Sequence, residues 1–398
     1  MLDPYKDKNV KGVFLSFVAL LFLLINGAAQ VPNSIVFKSG TEGHKSYRIP
    51  AIISAPNGNI LAFCEGRVNG ANDFGDINIV MKCSIDGGKT WSVLKTIVDY
   101  SNLQAGNPAP VVDLTDPAYP KGRIFLFYNT GNNHESEIRK GQGLREVFYI
   151  VSADAGETWS APVNITTQVH RPKQPAINPA YNFTEDWRAF ANTPGHAMQI
   201  ARGVYRGRIY VAANHSAGKP LSHYADGRAF GYYTDDHGKT FHISEELSFP
   251  GSNEATAAEL SDGKLILNAR NQFGNVKARI VAISNNGGAN WDTTYFDKNL
   301  PDPICEGAIL NVGFHWGKAI LAFCNAADTV SRNNLTLRIS YNNGATWKKN
   351  FFIDGTKADG ANNDYTAYSD IILLSKRNIG ILYERNNYQE IVFTVRKF

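Results

Sequence analysis

The stretch Ser84-Ile-Asp-Gly-Gly-Lys-Thr-Trp91 decides the fold, because the chain repeats its pattern four more times. Each further copy ends on Trp or Phe, and the copies are Ser152–Trp159, Thr234–Phe241, Ser284–Trp291 and Ser340–Trp347. Repetition at intervals of roughly 50–80 residues predicts a series of similar units that stack side by side or around a centre.

The repeated pattern has a local physical cause. A side chain such as Asp86 can accept hydrogen bonds from backbone amides later in the turn, and the glycine that follows supplies a positive φ. The segments before the copies are rich in β-branched and aromatic residues, which is typical of strands. Asn286 and Asn342 replace the aspartate in two copies, so the charge is dispensable. Each copy therefore predicts a structural hairpin turn rather than a catalytic acid.

Five such turns with no helical interludes predict an all-β protein. The spacing fits a β-propeller, whose blades are four-stranded sheets arranged around a central channel. Residues 30–398 would divide into about six blades of ~60 residues. The central channel of a propeller gathers loops from distant parts of the chain, so we expect the functional site there.

The first 29 residues read as a secretory signal peptide. Lysines at positions 6, 8 and 11 precede an apolar run from Val13 to Ile25, and the small residues Gly27-Ala28-Ala29 follow. The run is shorter than the ~18–20 residues that span a bilayer. An uncleaved anchor is the alternative. Cleavage after Ala29 predicts a secreted or periplasmic protein, residues 30–398, with no membrane span.

Charge and motifs exclude several functions. A formal net charge of +4 over 398 residues gives no electrostatic case for nucleic acid. The sequence has no H-E-x-x-H or EF-hand motif, so we expect no metal and no cofactor. No two of the four cysteines form a C-x-x-C pair, and buried free thiols are the default expectation. We expect a monomer.

A family resemblance arises from Tyr47-Arg-Ile-Pro50 together with the repeated turns. Tyr-Arg-Ile-Pro resembles the N-terminal signature of bacterial-type exo-α-sialidases, and the turn resembles their Asp-box. Further matches run in family order from about residue 44 to Glu384. The resemblance implies a six-bladed propeller that removes terminal α-linked sialic acids from glycans, and residues 30–398 would be its catalytic domain.

The resemblance implies a site for the sialic acid carboxylate. Arg48, Arg270 and Arg332 match the family's three arginines, and the planar guanidinium fork suits carboxylates. Glu384 matches the acid that braces the first arginine.

The resemblance assigns Tyr368 as nucleophile. A phenol with a pKa near ~10 is neutral until it attacks, so it avoids repulsion by the substrate carboxylate. Glu254 matches its base, with Glu259 as the alternative. Tyr365 and Tyr383 are the nearby tyrosines that could be mistaken for Tyr368.

The remaining matches concern the leaving group and the sugar. Asp73 resembles the general acid/base, and Asp76 is the alternative if the loop aligns differently. Arg67 and Asp113 resemble residues that contact the sugar's 4-hydroxyl, and we expect Glu65 to orient Arg67.

Two other functions stay open at this stage. A non-catalytic propeller that binds sialoglycans would keep the arginines and lose the catalytic residues, all of which are present. A trans-sialidase would use the same catalytic residues and pass the sugar to another glycan instead of water.

Overall fold

The computed structural model describes residues 33–356 and 364–398, and this part of the chain is built from strands. The predicted signal peptide, residues 1–29, lies outside the described residues. The helical structure of the described residues consists of α1 (Glu135–Arg139), α2 (Thr166–Val169) and the 3₁₀ turns Gly203–Tyr205, Ser222–Tyr224 and Ser261–Gly263. No described helix is long and apolar enough to cross a bilayer.

The strands form five hydrogen-bonded sheets. Strand β1 (Ser34–Lys38) is the first strand of the described residues and joins the last sheet. The largest sheet contains β2 (Ser46–Ser54), β3 (Ile60–Arg67), β4 (Ile77–Ser84), β5 (Lys95–Val98), β6 (Gln104–Asp113), β7 (Arg123–Gly131), β8 (Arg145–Ser152) and β9 (Val163–Asn164). The next contains β10 (Ala191–Asn192), β11 (Met198–Gln199), β12 (Ile209–Ser216), β13 (Gly227–Thr234) and β14 (His242–Ile243).

The other three sheets have four strands each. One contains β15 (Ser252–Glu259), β16 (Leu265–Asn271), β17 (Ala278–Ser284) and β18 (Thr293–Pro301). Another contains β19 (Gly307–His315), β20 (Lys318–Ala326), β21 (Leu335–Ser340) and β22 (Lys349–Asp354). In the last, β23 (Thr366–Ser375), β24 (Asn378–Arg385) and β25 (Glu390–Lys397) are completed by β1.

The sheets are arranged as in a propeller. Six strands, which we call the inner strands, contact one another in the closed series β2, β6, β11, β15, β19, β23 and back to β2. Buried apolar side chains fill the space between neighbouring sheets. The all-β, propeller-like prediction is therefore confirmed.

The prediction of six separate blades is not matched by the sheets. Four sheets stand alone like blades, whereas β2 to β9 form one continuous sheet of eight strands. A single parallel bridge between Ile77 of β4 and Gln104 of β6 joins its two halves. Sequence spacing could not reveal this bridge because it pairs strands across an irregular loop.

The repeated segments form the predicted turns. All five connect the third strand of a four-strand unit to its outermost strand. In the first, Asp86 Oδ1 accepts hydrogen bonds from Lys89 N and Thr90 N, each at 3.0 Å. In the last, Asn342 Oδ1 accepts from Thr346 N at the same distance, so the amide fills the role of the carboxylate.

The closure of the ring explains why the turn occurs five times. In the last sheet, β1 from the start of the chain pairs antiparallel with β25 from its end. No hairpin turn is needed where the outermost strand comes from elsewhere in the sequence. The first Asp-box turn packs on this closure, because Trp91 lies edge-on to Phe393 of β25 and its Nε1 donates to Ser34 of β1 at 3.1 Å.

The four cysteines are free thiols, as expected, and Cys64, Cys305 and Cys324 are buried.

Candidate active site

A cavity of about 260 Å³ opens at the end of the ring where the inner strands begin. Arg48, Glu254 and Tyr368 are each the third residue of their strands, which are β2, β15 and β23. Eight of the predicted site residues line it: Arg48, Glu65, Arg67, Asp73, Glu254, Arg270, Arg332 and Tyr368.

Irregular pairing aims several of these side chains. The register shifts at Ile49-Pro50 in β2, at Asn253-Glu254 in β15 and at Ala367-Tyr368 in β23. The inner strand β6 shifts in the same way at Asn107-Pro108. Bulges re-aim side chains and are frequent beside active sites. Four inner strands are therefore bent where they reach the cavity.

Tyr368 is held by a base and a cation at once. Its hydroxyl donates to the Glu254 carboxylate, with Oε1 at 2.7 Å and Oε2 at 2.8 Å. Arg270 Nη1 donates to Glu254 Oε2 at 2.6 Å and to the Tyr368 hydroxyl at 2.9 Å. This arrangement can take the phenolic proton onto Glu254 while Arg270 stabilises the phenolate that forms.

The phenol is neutral before it reacts. Burial raises the pKa of Tyr368 well above its ordinary value, and the Glu254 carboxylate raises it further, against the opposing effect of Arg270 and Arg332. Tyr368 is 5% exposed, so bulk water does not compete for its oxygen.

Arg48 is braced by Glu384 as predicted. Its Nε and Nη2 donate to the two carboxylate oxygens of Glu384 at 2.6 and 3.3 Å. The same carboxylate accepts from the backbone of Ile49 at 2.9 Å and of Tyr368 at 3.2 Å. Burial alone would lower the pKa of Arg48, but the ion pair with Glu384 outweighs it and raises that pKa. One buried acid thus fixes both Arg48 and the backbone of Tyr368.

Arg332 differs from the other two arginines. Within the described part of the chain, no carboxylate lies within 4.0 Å of its guanidinium. Its Nη2 donates to the backbone oxygen of Ile304 at 3.2 Å, and its Nη1 donates to the Tyr388 hydroxyl at 3.4 Å. Three arginines are therefore balanced by two acids, which leaves the cavity floor ready for an anion.

Asp73 lies at the solvent side of the cavity. Its side chain is 69% exposed, and its Oδ1 is 2.7 Å from Arg67 Nη1. Arg67 also donates to Glu65 Oε2 from Nε and Nη2, at 3.1 and 2.7 Å, so Glu65 orients it as predicted. Partial burial raises the pKa of Asp73, but Arg67 and Arg48 outweigh it and hold that pKa below its ordinary value.

The chain is similar to known proteins over most of its length. The family model described as a BNR repeat-like domain matches residues 42–381. The chain is 30% identical over 388 residues to an exo-alpha-sialidase of Arthroderma benhamiae, covering 91% of this chain and 83% of that protein.

The chain belongs to the BNR-repeat sialidase family.

Other relatives in the family are longer. The chain is 30% identical over 367 residues to a sialidase of Micromonospora viridifaciens, covering 87% of this chain but only 51% of that one. Among solved structures, the Hadza microbial sialidase Hz136 superimposes with a TM-score of 0.74 at 24% identity, covering 92% of this chain and 68% of that one. This last likeness concerns the fold.

One predicted residue lies away from the sialidase-family cavity. Asp113 ends β6, six residues beyond Asn107, which does line the cavity. The carboxylate of Asp113 accepts from Gln199 Nε2 at 2.7 Å and contacts His237 Nδ1 at 2.8 Å. The prediction that Asp113 contacts the sugar was therefore wrong, because a strand carries its two ends to opposite faces of the ring.

Asp113 belongs instead to a small charged group. One ligand-type atom each of Asp113, Asp116 and His237 lies within 4.8 Å of the others. Arg123 Nη2 is 2.7 Å from Asp116, and Arg123 Nε is 3.9 Å from Asp113. The guanidinium thus already supplies the positive charge that such a group attracts.

Sequence reasoning missed Tyr388. Its ring lies 4.1 Å from the Arg48 guanidinium, and its hydroxyl donates to Asp364 at 2.7 Å while accepting from Arg332. The sequence around Tyr388 does not indicate these contacts, because they are made with segments far from it in the chain.

Strained backbone was missed as well. Ile49 and Ile304 have φ values of 61° and 66°, which β-branched residues rarely adopt. The Ile49 amide donates to Glu384, and the Ile304 carbonyl accepts from Arg332. Each strained residue therefore places a backbone group against the site. The prolines Pro50 and Pro108 were an available signal, since proline inside a strand marks an edge or a bulge.

Proposed function

We propose that this chain is an exo-α-sialidase that hydrolyses terminal α-linked sialic acids with retention of configuration, using Tyr368 as nucleophile. The observation that carries the proposal is the Tyr368 hydroxyl held between the Glu254 carboxylate and Arg270, in a cavity that Arg48 and Arg332 also line. A non-catalytic binding propeller would have no need of this proton-accepting pair.

Binding begins with charge. The substrate carboxylate would lie against Arg48, Arg270 and Arg332, three guanidinium groups that have only Glu384 and Glu254 as carboxylate partners in the described part of the chain. Arg332, which has no carboxylate partner among the described residues, would gain one. Arg270 would keep its contact with Glu254 through Nη1 and offer its remaining nitrogens to the substrate.

The first displacement forms a tyrosyl-enzyme. Glu254 takes the proton from Tyr368 as the phenolic oxygen attacks the anomeric carbon, and Asp73 gives its proton to the departing glycosidic oxygen. In the free enzyme Arg67 and Arg48 favour the ionised form of Asp73. Neutralising Arg48 with the substrate carboxylate would favour the protonated form that the step needs.

The second displacement restores the configuration. Asp73 takes a proton from water, which attacks the same carbon while the Tyr368–carbon bond breaks and Glu254 returns its proton to the phenolate. Two inversions give overall retention. The exposure of Asp73 favours water over a second sugar as acceptor, so hydrolysis is preferred here to transfer.

The proposal also includes the expectations from the sequence about the blades, the signal peptide and the oligomeric state. The eight-stranded sheet would count as two blades joined at the Ile77–Gln104 bridge, which gives six blades in all. Residues 1–29 would be a signal peptide, and residues 30–398 a secreted or periplasmic catalytic domain. We expect it to act as a monomer on sialylated glycans, without metal or cofactor.

The test is hydrolysis of a fluorogenic α-sialoside by the wild type and Tyr368→Phe. We expect the variant to lose about 10³-fold or more in kcat, because the attacking oxygen is gone. Tyr365→Phe is the matched control and should stay within about twofold, since its hydroxyl is outside the cavity lining. A Tyr368→Phe enzyme that keeps half of the wild-type rate would refute the assignment.

Two product measurements test the mechanism. NMR should show the α-anomer of sialic acid as the first product, and the β-anomer would contradict retention. A 3-fluorinated sialosyl fluoride should leave a covalent adduct on Tyr368, found by mass on one peptide. An adduct on Glu254 would overturn the choice of nucleophile.

A further inference from the structure

A second buried acid, Glu306, lies directly behind the nucleophile. It precedes β19 and is 2% exposed. Its Oε2 accepts a hydrogen bond at 3.0 Å from the backbone nitrogen of Ser369, the residue after Tyr368. Since Glu384 accepts from the backbone nitrogen of Tyr368 itself, two successive amides of the bulged strand β23 are held by carboxyl groups.

Glu306 has no cation to balance a charge. In the described ranges, no Lys, Arg or His nitrogen lies within 4.0 Å of its carboxyl oxygens. Its Oε1 is buried and has no hydrogen-bond partner there. An ionised carboxylate in such a place would be costly, whereas a neutral carboxylic acid can accept the Ser369 hydrogen bond through its carbonyl oxygen.

The groups that face Glu306 are mostly acidic. Asp370 faces it from β23 and Glu254 from β15, while Arg279 of β17 is the opposing cation. The thiols of Cys305 and Cys324 complete the surroundings. Burial raises the pKa of Glu306 well above its ordinary value, and it outweighs the Ser369 hydrogen bond and Arg279, which lower that pKa, while Asp370 and Glu254 raise it further. Burial, the lack of a cation within 4.0 Å among the described residues and the neighbouring acids therefore favour the protonated form.

The segment that carries Glu306 is rigidly attached. Arg279, which is 0% exposed, donates to the backbone oxygen of Cys305 and lies 3.3 Å from Asp302. Cys305 packs in one apolar cluster with Tyr368. The neighbouring Ile304 gives its carbonyl oxygen to Arg332. A change at Glu306 would therefore reach both the nucleophile and the third arginine.

We propose that Glu306 is a positioning residue of the active site that holds the backbone behind Tyr368 as an uncharged carboxylic acid. The positioning role rests on the proposed sialidase function, while the uncharged state does not. A charged Glu306 would be a third carboxylate beside the half-buried Glu254 and the buried Asp370, and its repulsion would act against the contacts of strand β23.

The stability test needs no substrate. An acid whose pKa is higher in the folded state than in the unfolded state holds its proton on folding and releases it on unfolding. The free energy of unfolding therefore falls as pH rises from the unfolded pKa near ~4.3 toward the folded pKa. Glu306→Gln removes this titration. We expect the Tm of Glu306→Gln to rise relative to the Tm of the wild type as pH is raised from 5 to 9.

Glu157→Gln is the matched control for this test, because Glu157 is 66% exposed. Its Tm should stay parallel to that of the wild type across the same range. A Glu306→Gln curve parallel to the wild type would show that Glu306 is charged and would overturn the uncharged state.

The kinetic test separates positioning from binding. Glu306→Gln keeps an acceptor for the Ser369 amide, so kcat for an aryl sialoside should stay within about threefold of the wild type at pH 6. Glu306→Ala leaves that amide unsatisfied and should lower kcat about tenfold with KM nearly unchanged. Unchanged kcat in a folded Glu306→Ala enzyme would overturn the positioning role. A wild type with no sialidase activity would refute the proposed function instead, and the pH dependence of Tm would still decide the uncharged state.

Discussion

The outer Asp-box turns and the central cavity are built in opposite ways. Each turn closes within eight residues, and the hydrogen bonds that give it its shape join residues two to four apart, as from Thr90 N to Asp86 Oδ1. In the cavity, Arg48 contacts Glu384 across 336 residues and Tyr368 contacts Glu254 across 114. The turns repeat with regular geometry, whereas the cavity occurs once and is made from bulged strands.

This difference predicts how each region responds to substitution. A turn residue acts on its own hairpin, so its loss should lower stability and spare catalysis. A cavity residue is held by a buried partner from another sheet, so its loss should reduce turnover while the ring stays folded. A turn substitution that reduced turnover, or a cavity substitution that unfolded the ring, would contradict this difference.

The largest expected effect is at Arg332. Replacing it with Ala removes a cation that has no carboxylate partner among the described residues, and leaves Arg48 and Arg270, which are already paired with Glu384 and Glu254. We expect kcat/KM to fall by an amount equivalent to ~2–4 kcal/mol of lost transition-state stabilisation, mostly because KM rises. Michaelis–Menten kinetics on an aryl sialoside measure it. Arg377→Ala, an exposed change in the turn after β23, is the control and should leave kcat/KM unchanged.

Asp73→Ala should follow in size. Removing the acid should lower kcat about 10²-fold on natural sialosides and much less on substrates with activated leaving groups, because only the former need a proton. Comparing the two substrates measures this. Asp76→Ala tests the alternative assignment of the loop. Equal losses on both substrates for Asp73→Ala, or the selective loss appearing at Asp76, would move the acid elsewhere.

Trp91→Ala should affect the scaffold alone. The half-buried ring packs edge-on against Phe393 and fixes the closing strand β1. We expect about 2 kcal/mol of lost stability, less than the 3–5 kcal/mol typical of fully buried aromatics. Thermal unfolding measures it. A folded Trp91→Ala enzyme with reduced kcat at 25 °C would mean that closure and catalysis are coupled.

Asp86→Asn should have the smallest effect. Thr90 Oγ1 donates to Asp86 Oδ2 at 2.7 Å, and in the natural Asn342 turn the bond is reversed, with Nδ2 donating to Thr346 Oγ1 at 3.0 Å. The hydroxyl can serve either way, so turnover should stay within about twofold and Tm should fall less than in Trp91→Ala. Activity lost from a folded Asp86→Asn protein would contradict the structural role of the repeat.

The features that could be predicted from the sequence also differ between the outer turns and the central cavity. The turns were predicted correctly because their cause is local and repeated. Motifs named eight residues that line the cavity, and Asp113 failed because a motif does not tell which end of a strand faces the cavity. Tyr388, Glu306 and the strained Ile304 went unnoticed, since their roles come from packing between segments far apart in sequence. The Ile77–Gln104 bridge escaped for the same reason.

The closure of the ring by β1 on β25 also sets the order in which the molecule can be made. During synthesis, β1 must wait for β25 before the last sheet is complete. Arg48 of β2 can contact the Tyr368 ring of β23 and Glu384 of β24 only after those late strands have been made. Bringing such distant segments together is slow. A nascent chain is therefore expected to carry no assembled site until β24 has been synthesised.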